Sequence, residues 1–345
     1  MYNSFRNSFL ALLTCFTITS CLDQVDLNIP LEATDGLVFQ GGMVKVGDQV
    51  KVTLVVRFLT NVGGVSEISK LKEAYIENDK GQLLELSFEK AAHRIVTTST
   101  PAFEINLGMK FRFKGAAVND RKYESDWMTL NETPKIESLK YTIEDFKSLT
   151  FQISTKTIDD AGQRKIMKWD IENNYKLTDQ LWGGPPGKLC YVTSKADLRK
   201  VKMLDTREST DDRLDDFTVY GKNIDYLLSE GYYFTVIQQA LDEKSYNYFQ
   251  QVNELNQREG NIYEPPAGEI ISNIRELSGS SKAYGFFYVV EQDTSRIYIS
   301  PEEAGNPARQ CPVEPTEIDP CPVISCCDCL YLKGSTLNKP YFWEH

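Results

Sequence analysis

The sequence predicts a mainly β protein with two β-sandwich domains, one helix and a cysteine-rich tail. Apolar residues alternate with polar ones along many short segments, which is typical of half-buried strands. Turn residues separate these segments, and one segment has helical spacing instead. The chain has 345 residues, enough for about two domains.

Residues 1–20 have the pattern of an export signal. They contain Arg6 and no acidic residue, and the apolar run Phe9–Ile18 is shorter than the ~20 residues that span a bilayer. The sequence Ile18-Thr19-Ser20-Cys21 then resembles a bacterial lipobox, whose cysteine is acylated before cleavage. We therefore expect a signal peptide over 1–20 and a lipid anchor at Cys21, which holds firmly only with two or more acyl chains. An ordinary secretory signal is the alternative.

The first sandwich is predicted over residues 21–133. One strand pattern is a run of alternating apolar residues, Val50, Val52, Leu54, Val56 and Phe58. A hairpin is predicted from Tyr75 to Leu86, because Gly81 supplies a turn between two strand patterns. Several such strands separated by turns favour a sandwich.

The second sandwich is predicted over residues 134–300, after a boundary at Thr133-Pro134. Its last two strands are predicted at 284–290 and 296–299, joined by a turn around Asp293. A helix is predicted over 242–259, because Asp242 can cap it and Gly260 can end it. Its apolar stripe is expected to cover the sandwich core; the stripe is Tyr248, Phe249, Val252 and Leu255.

Residues 301–345 form a tail rich in proline and cysteine. Six cysteines are candidates for disulfides: Cys190, Cys311, Cys321, Cys326, Cys327 and Cys329. An even number in an exported chain indicates a disulfide framework, with fifteen possible pairings. The adjacent Cys326 and Cys327 are expected to bond to different partners. A zinc site is the alternative, but the paired CxxC spacing of structural zinc sites is absent.

Composition and motifs argue against several functions. The formal net charge of −11 disfavours nucleic acid as a partner. The two histidines, His93 and His345, have no implied catalytic partner, and no GxSxG, HExxH or phosphate-loop motif occurs. The sequence therefore predicts no catalytic residue, no metal site and no cofactor. Trp182 stands beside the Gly183–Gly187 turn and is the weak candidate for an exposed, ligand-binding aromatic residue.

Several segments together resemble a Bacteroidota cell-envelope lipoprotein family, domain of unknown function 4249. The matching segments are Leu37–Gly41, Tyr123–Asp126, Pro134–Leu139, Tyr263–Pro266, Tyr284–Phe287, Cys326–Leu330 and Lys339–Trp343. The resemblance implies a prealbumin-like first domain, a second domain like fibronectin type III or immunoglobulin, and genes beside TonB-dependent receptors. It implies no catalytic residues. Gly41-Gly42 departs from the glycine-aromatic pair that is frequent in the family.

These features lead to one expected function and two alternatives. We expect a non-catalytic outer-membrane lipoprotein, facing the periplasm or the cell surface, that is accessory to a TonB-dependent transporter through ligand capture or receptor docking. A structural or adhesive surface module is the first alternative. The second is an envelope hydrolase that uses a pair of carboxylates in a cleft.

Overall fold

The protein is mainly β, as the sequence predicts. A computed structural model describes residues 36–58, 71–89, 94–98, 103–185, 187–196, 200–257, 271–277 and 283–344. The predictions for the signal peptide, Cys21, His93, Gly260 and His345 lie outside these residues.

The strands alternate with turns along almost the whole described chain. They are β1 (Leu37–Val46), β2 (Gln49–Phe58), β3 (Leu71–Asn78), β4 (Leu83–Glu85), β5 (Ser87–Glu89), β6 (Arg94–Thr98), β7 (Lys110–Ala117), β8 (Lys122–Ser125), β9 (Met128–Thr129), β10 (Ile136–Glu144), β11 (Ser148–Lys156), β12 (Ile166–Thr178), β13 (Leu189–Lys195), β14 (Lys202–Asp205), β15 (Arg213–Asn223), β16 (Tyr232–Leu241), β17 (Ile274–Glu276), β18 (Ala283–Ile299) and β19 (Ser335–Thr336). The helices are α1 (Glu243–Asn256) and the single turn α2 (Ile324–Cys327), with 3-10 turns at Tyr226–Leu228 and Cys329–Tyr331.

One long strand joins the two halves of the described chain. The first nine residues of β18 pair in parallel with β1, from Leu37↔Ala283 to Lys45↔Glu291. The remainder of β18 pairs antiparallel with β16, from Gln239↔Gln292 to Tyr232↔Ile299. The result is a ten-stranded sheet with the path β19-β13-β12-β16-β18-β1-β2-β6-β5, in which β14 also pairs with β12.

Each of two smaller sheets packs against a different part of the ten-stranded sheet. The six-stranded sheet has the path β17-β8-β7-β3-β4 with β9 beside β7, and the three-stranded sheet has the order β10-β11-β15. The first core lies between β1, β2 and β18 and the six-stranded sheet, where Phe39 faces Phe113 with ring centroids 5.6 Å apart. The second core lies between β12, β13 and β16 and the three-stranded sheet, where Phe151 stacks on Phe234 at 3.7 Å. Each core is thus the interior of a sandwich.

The predicted turn around Asp293 is wrong, because β18 runs unbroken from Ala283 to Ile299. The polar residues that suggested a turn bind the neighbouring chain instead. Glu291 forms an ion pair with Lys45 at 2.7 Å, and Asp293 Oδ2 accepts the Ile136 N–H at 2.8 Å. The polar break in the alternation therefore marks the place where β18 changes its partner strand.

The segment around Thr133-Pro134, predicted as a boundary, is buried between the two cores. Thr133 is only 3% exposed, and its hydroxyl accepts the Ala240 N–H at 2.9 Å. Gln238 donates to the Pro134 carbonyl at 2.6 Å and accepts the indole N–H of Trp169 at 2.8 Å. Every polar group named here has a partner, as buried groups require.

Helix α1 begins where the sequence predicts. Asp242 caps it by accepting the Ser245 N–H at 2.8 Å. The apolar stripe covers a core, as predicted, but it is the first core: Tyr248 stacks on Phe286 at 4.6 Å. None of the helices in the described part of the chain has the length and apolarity needed to cross a bilayer.

Candidate functional site

The six predicted cysteines all form disulfides. Cys190 bonds to Cys329, Cys311 to Cys326 and Cys321 to Cys327, with Cα–Cα distances of 6.0, 5.6 and 6.2 Å. The adjacent Cys326 and Cys327 bond to different partners, as expected. Because Cys190 lies in β13, the first bridge attaches the tail to the ten-stranded sheet.

Asp179 fixes the tail beside the turn that contains Trp182. Its Oδ2 accepts the Cys329 N–H at 3.0 Å, and its Oδ1 accepts the Lys188 N–H at 2.6 Å. Lys188 Nζ forms an ion pair with Asp328 at 2.8 Å, and its hydrogen bond lowers the pKa of the Asp328 carboxyl. Asp179, Asp328 and Cys329 are close enough to suggest a metal site. The Cys329 sulfur is in a disulfide, however, and both carboxylates already bind N–H groups or Lys188. The role of the cluster is therefore to hold the tail in place.

The turn around Trp182 is bound to the tail while its indole points to solvent. The Trp182 N–H donates to the Val313 carbonyl at 2.8 Å, and Leu181 forms a parallel bridge with Val313. The Trp182 side chain is nevertheless 67% exposed. The prediction of an exposed aromatic residue at this position is therefore correct.

We use the name tail platform for residues Asp179–Pro185 and Cys311–Tyr331, which the bridges and hydrogen bonds hold together. Other apolar side chains on it are also exposed: Ile318, Ile324, Leu330 and Tyr331. Exposed apolar groups on a rigid support are typical of protein-binding surfaces, since little conformational freedom is lost on docking.

A cavity of about 300 Å³ lies at the junction of the two sandwiches. Its acidic lining residues are Glu132, Glu137, Asp160 and Glu291. Glu291 is bound by Lys45 and by the Thr133 N–H, while Glu137 pairs with Arg213 at 2.7 Å. Two of the four carboxylates, those of Glu137 and Glu291, are therefore held by structural partners.

A second depression of about 300 Å³ lies on the six-stranded sheet, between Tyr75 and Leu277. An ion-pair network adjoins it: Glu77 is bound by Arg112 and by Lys114, the latter at 2.9 Å, and Arg112 also binds Glu124. Burial raises the pKa of Glu77, but the hydrogen bonds from Lys114 and Arg112 outweigh it and hold the pKa below its usual value.

Lys168 lies between the buried Met167 and Trp169 in β12 and is itself buried beneath α1. It is 5% exposed, binds Asp170 and Gln239, and lies 5.2 Å from the Phe249 ring. Burial lowers its pKa against the opposing effect of Asp170, and burial also raises the pKa of the adjacent Tyr288 to about 12. The apolar stripe of α1 is the sequence signal that could have revealed the burial of Lys168, because such a stripe must pack against another part of the chain.

Comparison with known proteins identifies a family but no activity. The model of a family described as Domain of unknown function (DUF4249) matches residues 33–296, more than half of the chain. No curated protein matches the chain. The matched residues include the whole first core and most of the second core, and they end before the cysteines of the tail platform.

Proposed function

This chain belongs to the DUF4249 family, and we propose that it is a non-catalytic lipoprotein of the outer membrane that docks on a TonB-dependent transporter. Acyl chains on Cys21 would hold it at the membrane. The tail platform would supply the contact with the receptor, because it combines exposed apolar residues with a covalently restrained backbone.

The observation that carries this proposal is the exposure of Trp182 on a turn fixed at both sides. Its own N–H is bonded to Val313, and Asp179, three residues earlier, is bonded to Cys329. Tryptophan and tyrosine are enriched among the residues that dominate binding energies, and Tyr331 of the platform is 71% exposed. Two exposed aromatic residues on a restrained backbone suit receptor docking better than they suit catalysis.

Affinity purification from membranes tests the proposal. The tagged chain, extracted in mild detergent, should recover a barrel receptor that mass spectrometry identifies. Trp182→Ala and Tyr331→Ala should each reduce that recovery at least ~10-fold, since a binding hot spot contributes about 2 kcal/mol or more. Val118→Ala, an exposed apolar residue in the β7–β8 turn, is the control and should leave the recovery unchanged.

Two results would contradict the proposal. One is purification of the wild-type chain without any barrel protein; the other is equal recovery by wild type and Trp182→Ala. Mass spectrometry of the mature protein separately tests the anchor, because it should give a first peptide that begins with acylated Cys21. An unmodified Cys21 or an intact Met1 would contradict the anchor.

A structural or adhesive role is the second candidate, favoured by β18. Since this strand pairs with both β1 and β16, the two sandwiches share a continuous sheet, as a rigid spacer would require. That role predicts that Trp182→Ala changes neither receptor recovery nor attachment of cells to a surface. Attachment assays on a strain that lacks the protein distinguish the two roles.

A further inference from the structure

We propose that one face of the ten-stranded sheet is an acceptor site for an aromatic peptide, filled in cis by the segment Lys339–Glu344. Tyr191, Tyr233 and Tyr298 form this face, which we call the aromatic face. Each stands next to residues of the second core, and side chains alternate along a strand, so the three tyrosines lie on the opposite side of the sheet.

Four neighbouring strands of the ten-stranded sheet carry the aromatic face, in the order β13-β12-β16-β18. Tyr233 of β16 is the register partner of Tyr298 of β18, and their rings are 5.0 Å apart. Tyr191 of β13 is the register partner of Lys176 of β12. Lys176 and Arg296 place two cations among the tyrosines, so the face offers aromatic edges together with positive charge.

The segment inserts two adjacent aromatic residues into this face. Trp343 meets the rings of Tyr191 and Tyr233 edge-on at 5.3 and 5.1 Å, and Lys176 Nζ lies 5.3 Å from its ring centre. Phe342 packs on Tyr233 at 5.6 Å, with the Arg296 guanidinium 4.5 Å from the Phe342 ring centre. Edge-on rings and cation–π contacts are both favourable geometries.

Side chains, rather than an added strand, make the contacts on which the proposal rests. The Trp343 N–H donates within its own segment, to the Pro340 carbonyl at 3.0 Å. Trp343 is 2% exposed, whereas Tyr341 is 89% exposed. Recognition of this type depends on the sequence of the peptide, with Phe342 and Trp343 as anchors and Tyr341 outside the site.

The fit of Trp343 leaves a polar group unsatisfied. Among the described residues its buried indole Nε1 has no hydrogen-bond partner, and neither has the buried Nε of Arg296. A settled core residue normally pairs such groups. Because these two groups lack hydrogen bonds, a peptide that supplies an acceptor binds the aromatic face more tightly and can replace the segment. The kind of partner that fits is a peptide with two adjacent aromatic residues and a hydrogen-bond acceptor for the Arg296 guanidinium.

A binding experiment on the full chain tests the proposal. The probe is a fluorescent peptide with the sequence Asn338–Glu344, and the protein is the double variant Phe342→Ala/Trp343→Ala, whose face is vacant. In the wild type, the tethered segment competes at an effective concentration of roughly millimolar. The peptide should therefore bind the double variant at least ~10-fold more tightly than the wild type. Tyr341→Ala is the control and should behave like the wild type.

The probe itself supplies a second comparison. A peptide in which Trp343→Ala has been made should bind the double variant at least ~10-fold more weakly, because a buried anchor is lost. Equal binding of the unaltered peptide to double variant and wild type would overturn the proposal.

Hydrogen exchange on the wild-type protein keeps the proposal testable if the double variant does not fold. A replaceable occupant opens locally, so amides of Lys339–Glu344 should exchange at least ~10-fold faster than those of β16. Exchange of the segment only together with β16 would show that it is a permanent part of the core, and would overturn the proposal. The inference does not depend on the tail platform, and Trp182→Ala should leave peptide binding unchanged.

Discussion

Thr133 is bonded twice to Glu291: its N–H donates to Oε2 at 3.0 Å, and its hydroxyl donates to the Glu291 carbonyl at 2.8 Å. The two residues are 158 positions apart in the sequence. Glu291 stands at the last register position that β18 shares with β1, opposite Lys45. The contact between Thr133 and Glu291 therefore lies at the junction of the two sandwiches and holds the junction together.

Thr133→Val should destabilise the protein by about 2 kcal/mol, because it leaves the Ala240 N–H and the Glu291 carbonyl without the hydroxyl. The shape of the side chain is kept, so packing changes little. Urea denaturation followed by circular dichroism measures the effect. Thr142→Val, on an exposed position of β10, is the control and should change stability by less than about 0.5 kcal/mol. Equal effects of the two substitutions would contradict the role of the hydroxyl.

Gly285→Ala should be among the most damaging single substitutions, costing about 3 kcal/mol or more. Gly285 has φ +103°, and an added Cβ would lie 1.8 Å from the Phe39 carbonyl oxygen in the parallel β1–β18 pair. Gly162 is the matched control: its φ is also positive, +77°, but nothing lies within 4 Å of an added Cβ. Gly162→Ala should cost only about 1 kcal/mol, and thermal unfolding of both variants tests the difference. A similar loss in both would show that close approach of the strands is unimportant.

Removal of the Cys190–Cys329 bridge should lower stability more than removal of the Cys321–Cys327 bridge. The bridges join residues 139 and 6 positions apart, so the first restricts the unfolded chain far more. Loop-closure entropy predicts losses of about 5 and about 2 kcal/mol for the paired serine variants. Denaturation midpoints under oxidising conditions test the order. In reductant, wild type and both variants should unfold together; a wild type unaffected by reductant would contradict the role of the bridges.

Glu77→Gln should change the response of the protein to acid. Because the folded pKa of Glu77 lies below its unfolded value, the carboxylate stabilises the fold above about pH 4.5 and loses this effect as pH falls through the folded pKa. The variant should be less stable at pH 7 by about 1–2 kcal/mol and should lose less stability between pH 5 and pH 3. Urea midpoints across this range measure both effects. Glu85→Gln, an exposed position on β4, is the control and should keep the wild-type slope.

Local features of the fold were largely predictable from the sequence. Alternation at Val50–Val56 and the turn at Gly81 identified strands, because burial on one face of a strand imposes a period of two. The Asp242 cap identified the start of α1, since a side-chain oxygen there satisfies a free N–H of the first turn. The number of cysteines and the export pattern indicated disulfides, and the Gly-Pro turn indicated that Trp182 is exposed.

Long-range pairing could be decided only by the tertiary structure. Periodicity shows which face of a strand is buried, but not which strand lies beside it. The polar residues Glu291 and Asp293 read as a turn because their partners, Lys45 and Ile136, are distant in sequence. Three further features depend on the same cause: the choice among fifteen disulfide pairings, the cover that α1 places over Lys168, and the packing of Trp343 on Tyr191 and Tyr233. The sequence therefore determined the elements and their buried faces. The tertiary structure decided which elements are neighbours, because contacts between residues that are remote in the sequence produce no local periodicity.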